Sequence, residues 1–373
     1  MTNDDELFAC LRLARSRGIG SVTHGQLLRR FGSAMDAVEQ LPDFLAEKRA
    51  TQRITLASDK DIEKELEGLA RLGGVMLTRA DEAYPKALAV IPDPPPVISV
   101  LGNTALLPRP AAAIVGARNA SAAGQRMASY LATDLGDAGW IITSGLARGI
   151  DGAAHRAALS SGTIAVLAGG VNSIYPREHG DLYRAIVEQG AVVSEMRLGH
   201  TATARDFPKR NRIVSGLTRG VVVVEAAERS GTLITARLSL EQGREVCAVP
   251  GSPLDPRSAG TNRLIRQGAV LVRDAEDVIT ALGDPQDPPR GELFAFEEDP
   301  ASPVESDKRE SLETELKALL SPTPTHRDEL LRASTATPAQ FADIILDLIL
   351  SGIAEELPGG MFALASDASR SDI

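Results

Sequence analysis

The 373-residue sequence predicts an α/β fold built on a doubly wound, mostly parallel sheet, with a small all-α domain before it and a helical domain after it. Three observations lead to this prediction. Amphipathic helical segments fill the first seventy residues, short β-branched runs alternate with helices between residues 111 and 274, and an acidic, proline-rich stretch precedes the last segments. With 43% hydrophobic residues, the chain is long enough for more than one buried core.

Residues 1–70 are predicted to form the all-α domain. The segment ELFACLRLARSRG is amphipathic, Gly18-Ile19-Gly20 interrupts it, and VTHGQLLRRFGS begins a second helix. A helix, a Gly-hydrophobic-Gly turn and a helix have the outline of a helix-hairpin-helix, in which turn amides can face a phosphate. A plain helical hairpin explains the same pattern, and both interpretations stay open.

Residues 71–283 are predicted to hold the sheet. The seven β-branched runs are AAAIVGA (111–117), WIITSG (140–145), TIAVLAGG (163–170), AVVSE (191–195), GVVVVEA (220–226), EVCAVPG (245–251) and AVLVRD (269–274). Helices separate them, which indicates a Rossmann-like parallel sheet covered on both faces. Ligands of such sheets bind beyond the carboxyl ends of the strands, so the residues that follow each run are the candidate functional residues.

Residues 284–310 are predicted to be an acidic, proline-rich linker, 311–366 a winged-helix-like domain and 367–373 a tail. SLETELKALL, THRDELLRAS and TPAQFADIILDLILSGIAEEL predict three helices, with Thr337 or Thr325 as caps, and GGMFAL predicts a strand. No Lys or Arg occurs between Arg332 and Arg370. Readout of duplex DNA by this domain is therefore not expected.

The net charge of −10 is unevenly distributed. Residues 111–283 carry 19 Lys and Arg against 16 Asp and Glu, whereas residues 311–373 carry 4 against 10. Of the 19 cations in the middle region, 18 are Arg, whose planar guanidinium matches phosphate oxygens in two-point geometry. A GC-rich genome would also favour Arg, so composition alone leaves phosphate binding open.

Three turns at the predicted carboxyl edge place glycines, small residues and two arginines together. Backbone amides at helix N-termini and guanidinium groups bind phosphate, although glycines also simply permit tight turns. The candidate residues here are Gly116, Arg118, Ser144, Gly145, Arg148, Gly169 and Gly170.

The segment after the fourth run puts four cations and one aromatic ring within nine residues. Cations interleaved with an aromatic residue suit single-stranded nucleic acid, whose bases stack on rings at roughly 1–3 kcal/mol each. The alternative is a solvated basic helix start with Phe207 in the core. The candidate DNA-binding residues of this segment are Arg205, Phe207, Lys209, Arg210, Asn211 and Arg212, and Ser230, Gly231 and Thr232 follow the fifth run as helix caps or anion ligands.

The segments GAR-x-x-S, SGLARGIDGAAH, AVLAGGVNSIYPREH, FPKRNRIVSGL, VVVVEA with SGTLITA, and VPG with GTNRLI-x-x-GA carry a resemblance. In order and spacing, over about residues 81–275, they are similar to the DNA-processing protein A family, also called Smf. The resemblance implies a non-enzymatic protein that binds and protects single-stranded DNA and loads RecA recombinase onto it in natural transformation. It also implies a homodimer, with Ile265 and Leu271 where family members pair their sheets, although apolar residues there could equally belong to the core of one chain. A contact with single-stranded-DNA-binding protein stays open. Some relatives carry Lys where this chain has Ala204, so Arg205 or Lys209 is expected to substitute.

The strongest alternative is a nucleotide-binding or nucleotide-hydrolysing Rossmann enzyme related to the phosphoribohydrolases. Those enzymes carry a catalytic Glu in GG-x-GT-x-x-E, and the corresponding position here is Thr235. The dinucleotide fingerprint and the P-loop are absent from the sequence, the histidines and cysteines lack metal-ligand spacing, and His155 is interpreted as a packing residue. We therefore expect no catalytic residue, no cofactor and no metal. Without a secretion signal or a long apolar run, the chain is expected in the cytoplasm, away from membranes.

Overall fold

The structure, a computed structural model, describes residues 3–47, 54–286, 306–357 and 360–365. The chain divides into two compact units. One comprises Met1–Glu63, Pro92–Pro96 and Phe294–Ile373, and the other comprises Lys64–Ile91 and Val97–Leu293. Most of the predicted linker and all of the predicted tail lie outside the described residues.

The N-terminal part is helical, as predicted, with α1 (Asn3–Arg15), α2 (Ser21–Phe31), α3 (Ala34–Glu47) and α4 (Asp59–Arg71). Gly18 takes φ +85° in the turn between the first two helices, a backbone conformation that favours glycine. Ile19 is buried beside it. The turn therefore joins two helices that pack with α3 around a core of leucines and alanines.

The C-terminal segments form a winged helix with α13 (Ser306–Leu319), β10 (Thr325–His326), α14 (Arg327–Ala333), α15 (Pro338–Leu350), β11 (Ala354–Leu357) and β12 (Met361–Leu364). The strands pair in the order β10-β12-β11. Thr337 caps α15 and forms a capping box with Gln340, as expected. The expected cap at Thr325 is wrong, because Thr325 lies in β10 and His326 caps α14.

The expected helix over 337–357 is too long. It ends at Leu350, Gly352 takes φ +72°, and residues 354–357 form β11 against β12. Phe341, Ile345 and Phe362 lie in the core that these helices and strands share.

The second unit is built on a nine-stranded sheet, counted over the described residues, in the order β1-β2-β6-β5-β4-β3-β7-β8-β9. Its strands are β1 (Val75–Thr78), β2 (Val97–Gly102), β3 (Ala111–Val115), β4 (Ile141–Ser144), β5 (Thr163–Val166), β6 (Ala191–Ser194), β7 (Gly220–Val223), β8 (Glu245–Ala248) and β9 (Val270–Leu271). Its helices are α5 (Lys86–Ala89), α6 (Ala122–Asp137), α7 (Ile150–Ala157), α8 (Gly180–Gln189), α9 (Asp206–Gly216), α10 (Thr232–Glu241), α11 (Ala259–Arg266) and α12 (Ala275–Leu282).

The seven predicted strands are β3 to β9, and all pair in parallel. Two further strands, β1 and β2, extend the sheet by antiparallel pairing beyond β6. The strands carry apolar residues toward both faces: Val115 belongs to the core on one face and Ile114 to the core on the other. This two-sided burial explains why their sequences are continuous apolar runs without alternation.

The chain reverses its direction of growth at β3. From β3 it adds β4, β5 and β6 on one side, and then returns to add β7, β8 and β9 on the other. Such a switch point opens a crevice at the carboxyl ends of the two strands that flank it. The turns after β3 and β7 therefore face one another across a ready-made binding site.

Candidate nucleic-acid interface

A cavity of about 950 Å³ lies at this switch point. Its walls come from the turns that follow β3, β4 and β7 and from the first turns of α9 and α10. It brings together nine of the residues that the sequence singled out, namely Gly116, Arg118, Gly145, Phe207, Arg210, Asn211, Ser230, Gly231 and Thr232. Strand topology thus assembles side chains from four segments that are distant in sequence.

Phe207 is the aromatic centre of the cavity. The guanidinium carbon of Arg118 lies 4.9 Å from the centroid of its ring, and that of Arg210 lies 5.9 Å away. The ring of Tyr175 meets it edge to face, with centroids 5.7 Å apart. Arg118 is exposed, whereas Phe207 is half-buried. A flat ring with an exposed cation next to it is a surface on which an unpaired base can stack while its phosphate is neutralised.

Arg210 has a different role, because it is buried under the cavity. Its Nη1 donates hydrogen bonds to the carbonyl oxygens of Gly145 and Val166. Burial lowers the pKa of Arg210 to about 10, and the nearby Asp151 carboxylate opposes that shift. Arg210 therefore stays protonated near neutral pH and braces the turn after β4, while it contributes positive potential from below.

Asp151 is the buried acidic partner in this floor. Its Oδ2 accepts hydrogen bonds from the amides of Gly145 at 3.2 Å and Ala147 at 3.3 Å. Burial raises the pKa of Asp151, and the Arg210 charge counters this rise. The glycine at 145 is required by packing, since a Cβ there would lie 2.3 Å from Nη1 of Arg210. The amide of this turn is thus already bonded within the protein.

The start of α9 is held by Asp206. Its Oδ2 accepts from the amide of Thr203 at 2.8 Å, from the Thr203 hydroxyl and from Nε2 of His200 at 2.9 Å. Burial alone would raise the pKa of Asp206, but these hydrogen bonds outweigh it and lower the pKa. The carboxylate fixes the first turn of α9, and with it the direction in which Phe207 projects.

The candidate residues of the segment 205–212 do not all border the cavity, because most of the segment is helical. Phe207, Arg210 and Asn211 are three and four residues apart and share the helix face that borders the cavity. Arg205 and Lys209 are exposed outside the cavity lining. Arg212 is buried on another side of α9, where it forms an ion pair with Glu195.

Ser144, Gly169 and Gly170 also lie outside the cavity lining. The Ser144 hydroxyl donates to the carbonyl oxygen of Ile114 at 2.6 Å inside the sheet. The amide of Gly170 donates to the carbonyl oxygen of His200 at 2.9 Å, and a Cβ at Gly169 would lie 2.7 Å from that oxygen. These two glycines are needed for close packing of the segment before α9. Their role in phosphate binding stays a prediction.

Glu225 occupies the N-terminus of α6. Its carboxylate accepts from the amide of Ser121 at 2.9 Å and from the Ser121 hydroxyl, and Ser121 in turn caps the amide of Gly124. This is the helix end that holds the pyrophosphate in dinucleotide-binding Rossmann domains. Because a carboxylate of the protein already fills it, a dinucleotide phosphate would meet a like charge there.

The opposite wall carries two cations that the sequence analysis did not single out, Arg229 and Arg257. Arg257 is paired with Asp255 at 2.9 Å. Next to them, the Ser230 hydroxyl accepts from the amide of Thr232 at 3.2 Å, and the Thr232 hydroxyl donates to the carbonyl oxygen of Gly116 at 3.0 Å. Ser230 therefore closes a local turn before α10, and Thr232 ties the start of α10 to the turn after β3.

Two residues bear on the alternative enzyme class, Thr235 and His155. Thr235 lines the cavity at the position where the phosphoribohydrolases carry their carboxylate. His155 is fully buried, its Nδ1 lies 2.7 Å from the Thr163 hydroxyl, and its Nε2 accepts from the amide of Leu146. Burial lowers the pKa of His155 to about 3, so the ring is neutral. Among the described residues, no group of His, Cys, Asp and Glu side chains could hold a metal ion.

Comparison with known proteins matches three parts of the chain to models of one family. The model of the DNA recombination-mediator protein A family matches residues 75–283. Residues 4–68 match a DprA-like N-terminal HHH domain, and residues 298–360 match a DprA winged helix domain. No helix among the described residues has the length and apolar character needed to span a bilayer.

Similar proteins and structures come from several bacteria. Protein Smf of Escherichia coli is 39% identical over 85% of this chain and 84% of its own length, and the DNA processing protein DprA of Bacillus subtilis is 44% identical over 54% and 69%. The crystal structure of DNA processing protein A from Streptococcus pneumoniae superposes with a TM-score of 0.57 at 36% identity, covering 66% of this chain and 82% of that one.

A solved structure of DNA processing protein A from Helicobacter pylori, described for its single-stranded DNA binding mode, has a TM-score of 0.52 at 29% identity and covers 56% of this chain and 95% of that one. The family model alone spans more than half of the residues, and its limits coincide with the sheet and its helices. The chain therefore belongs to the DNA recombination-mediator protein A family.

Proposed function

We propose that the cavity at the switch point binds single-stranded DNA, and that the chain acts without catalysis in natural transformation and recombination, in the cytoplasm. The observation that carries this proposal is the Phe207 ring in the cavity, with the exposed Arg118 guanidinium 4.9 Å from its centroid. The single-stranded DNA binding mode described for the Helicobacter pylori relative supports it.

The geometry favours a single strand over a duplex. Phe207 lies recessed in a concave site. A base of a duplex must first unpair and unstack to reach this ring, which costs free energy, whereas a base of a single strand is already unpaired. Cations that approach the site from different turns, Arg118, Arg229 and Arg257, can instead follow a flexible backbone. Stacking and phosphate contacts of this kind carry little sequence preference.

A binding titration of the purified protein tests this function. Labelled single-stranded DNA and a duplex of the same length are compared by fluorescence anisotropy at about 50 and 200 mM salt, without nucleotide. We expect tighter binding of the single strand, with an affinity that falls with salt by a slope of about −0.7 for each phosphate contacted. A requirement for ATP, or equal affinity for the duplex, would contradict the proposal.

The finer part of the proposal is that the bound strand is protected and passed to RecA recombinase. It is supported by family membership. Two measurements test it: nuclease digestion of the strand with and without the protein, and RecA filament formation on DNA covered by single-stranded-DNA-binding protein. Unchanged digestion together with unchanged filament growth would limit the function to DNA binding.

We also propose that two copies associate through the edge of the sheet near Ile265 and Leu271. The edge strand β9 has only two residues in the ladder, and the Leu271 residue is 41% exposed. Ile265 is partly buried and packs against the core of its own chain. Leu271 is therefore the better candidate of the two for a contact with a second copy.

A further inference from the structure

A second concavity, of about 290 Å³, adjoins the main cavity. The two share Arg118, Asn119, Ala147 and Tyr175, and the smaller one is completed by Arg148 and Pro176. Because four residues border both spaces, the pair forms one groove that runs from Phe207 past Tyr175 to Arg148. A flexible polymer bound in the main cavity can continue into the smaller one without leaving the protein surface.

Tyr175 is the ring between the two cavities, and it is 54% exposed. Its plane is inclined by 65° to that of Phe207. One base cannot lie flat on two rings at this angle, so the rings offer separate stacking positions. Tyr175 lies before α8, within the AVLAGGVNSIYPREH segment, and was not among the residues predicted for the site.

The far end of the groove carries an arginine held by an acid. Nη2 of Arg148 lies 2.7 Å from Oε2 of Glu178, and the two side chains are 60% and 52% exposed. An exposed ion pair of this type contributes little free energy and is easily exchanged. A phosphate offers Arg148 the same charge with more acceptor oxygens, in the two-point geometry that a guanidinium prefers. Glu178 is thus a competitor that a strand in the smaller cavity must displace.

We propose that a single strand bound at Phe207 continues into this second cavity, where Tyr175 stacks a further base and Arg148 exchanges Glu178 for a phosphate. This inference rests on the proposed single-strand binding. It extends the site by one stacking residue, Tyr175, and by one residue that opposes binding, Glu178. Because Glu178 competes with the phosphate for Arg148, removing the Glu178 carboxylate should strengthen DNA binding.

The test is the variant Glu178→Gln, with Asp181→Asn as its matched control. Asp181 is ion-paired with Arg184 and lies outside both cavities, so each change removes one negative charge and frees one arginine on neighbouring turns. For Glu178→Gln we expect tighter binding and a salt slope steeper by about 0.7, the value for one more phosphate on a single strand. If the two variants change the affinity and the salt slope equally, the effect of Glu178 is that of any nearby negative charge, and the proposal is overturned.

The stacking step is tested by Tyr175→Leu against Tyr175→Phe. Leucine fills space without a flat ring, so we expect a loss of about tenfold in affinity at an unchanged salt slope, whereas phenylalanine keeps wild-type affinity. Circular dichroism confirms folding of both variants. If the wild-type protein binds no single strand, the proposed function fails; if it binds and Tyr175→Leu binds equally well, only the second cavity is excluded from the site.

Discussion

The arginines of the cavity divide by what surrounds them. Arg118 is exposed and forms no ion pair with the residues that the structure describes, whereas Arg210 is buried and bonded to two carbonyl oxygens. Arg257 is exposed but already paired with Asp255. Of these three, only Arg118 can meet a phosphate without breaking an ion pair or a hydrogen bond to the protein. Arg118 is therefore the cation whose loss should be read most directly in DNA binding.

We expect Arg118→Ala to weaken binding of all single-stranded sequences alike and to flatten the salt slope by about 0.7, because one phosphate contact no longer releases its counterion. Phe207→Ala should lower affinity by about tenfold and leave the slope unchanged, since stacking releases no ions. Titrations at several salt concentrations measure both quantities. Wild-type affinity and slope in Arg118→Ala would place the DNA elsewhere on the protein.

His155 makes the stability of the sheet unit depend on pH. Burial, and then the nearby charges of His179 and Arg210, lower its pKa from 6.5 to about 3. Between these values the unfolded chain binds a proton that the folded chain refuses, so the free energy of unfolding falls as the pH drops from about 6.5 toward 3.

Replacing His155 by Gln keeps a neutral polar group near Thr163 and removes this proton. We expect the free energy of unfolding, measured by urea denaturation at several pH values, to fall less steeply below pH 6.5 by up to about 1.4 kcal/mol per pH unit. The same pH dependence in both proteins would show that His155 is protonated in the fold.

At the scale of elements, the long apolar runs were the sequence patterns that predicted strands correctly. All seven β-branched runs became parallel strands, because a strand buried on both faces needs an uninterrupted apolar sequence. The strand β2 was missed although VISVLG follows three prolines and is a clear β-branched run. The strand β1, with four residues after Gly73-Gly74, offers a weaker signal, and its place depends on pairing with β2.

The helix α9 shows why cations close in sequence need not share a site. Its start could have been recognised from Thr203-Ala204-Arg205-Asp206, in which a hydroxyl and a carboxylate three residues apart resemble a capping box. Once the segment is helical, the period of 3.6 residues sends Arg210 and Arg212 to different faces. The segment contains four cations, but which of them lie on the same face depends on the secondary structure.

A contact between elements of the first unit leads to a further prediction. Glu356 of β11 accepts hydrogen bonds from the amides of Val22 and Thr23 at 3.3 and 3.1 Å and from the Thr23 hydroxyl at 2.8 Å. The residue at the N-cap of α2 is Gly20, which has no side chain to cap the helix. The carboxylate of the winged helix therefore acts as the missing cap.

We expect Glu356→Ala to lower the local stability of the first turn of α2 by about 1 kcal/mol, the usual cost of losing a cap. Hydrogen exchange at the amides of Val22 and Thr23 measures this loss. Glu355→Ala is the control, because Glu355 is the preceding residue of β11 and its side chain leaves the strand on the opposite side. Equal exchange in the two variants would show that the contact contributes no protection.

At the scale of the whole molecule, the position of the site followed from topology alone. Helices between parallel strands imply a switch point, and Arg118 was expected there because it follows the first predicted strand. The side chains that complete the site were beyond prediction. Asp151, Tyr175 and Arg257 come from three segments that are distant in sequence, and only the folded sheet shows that they line the same cavity as Phe207.

At this scale, one exposed side chain at the sheet edge should control the proposed association of two copies. Leu271 lies on the edge strand β9, where the backbone lacks a further neighbour in the described sheet and the residue is 41% exposed. Because the side chain is already half in solvent, Leu271→Glu should not unfold a single copy. Inside an apolar contact between copies, however, the unpaired carboxylate would cost several kcal/mol.

If the proposed contact holds, we expect the wild-type protein to sediment as a dimer and Leu271→Glu to sediment as a folded monomer at the same concentration. Leu240→Glu is the control, since Leu240 is 61% exposed on α10, far from the edge strand in sequence, and its change should leave the dimer intact. The cavity is built within one chain, so the monomer should still bind single-stranded DNA, with the same number of strands per chain as the dimer. A dimer that survives Leu271→Glu would place the contact on another surface, and an unfolded variant would assign Leu271 to the core of its own chain.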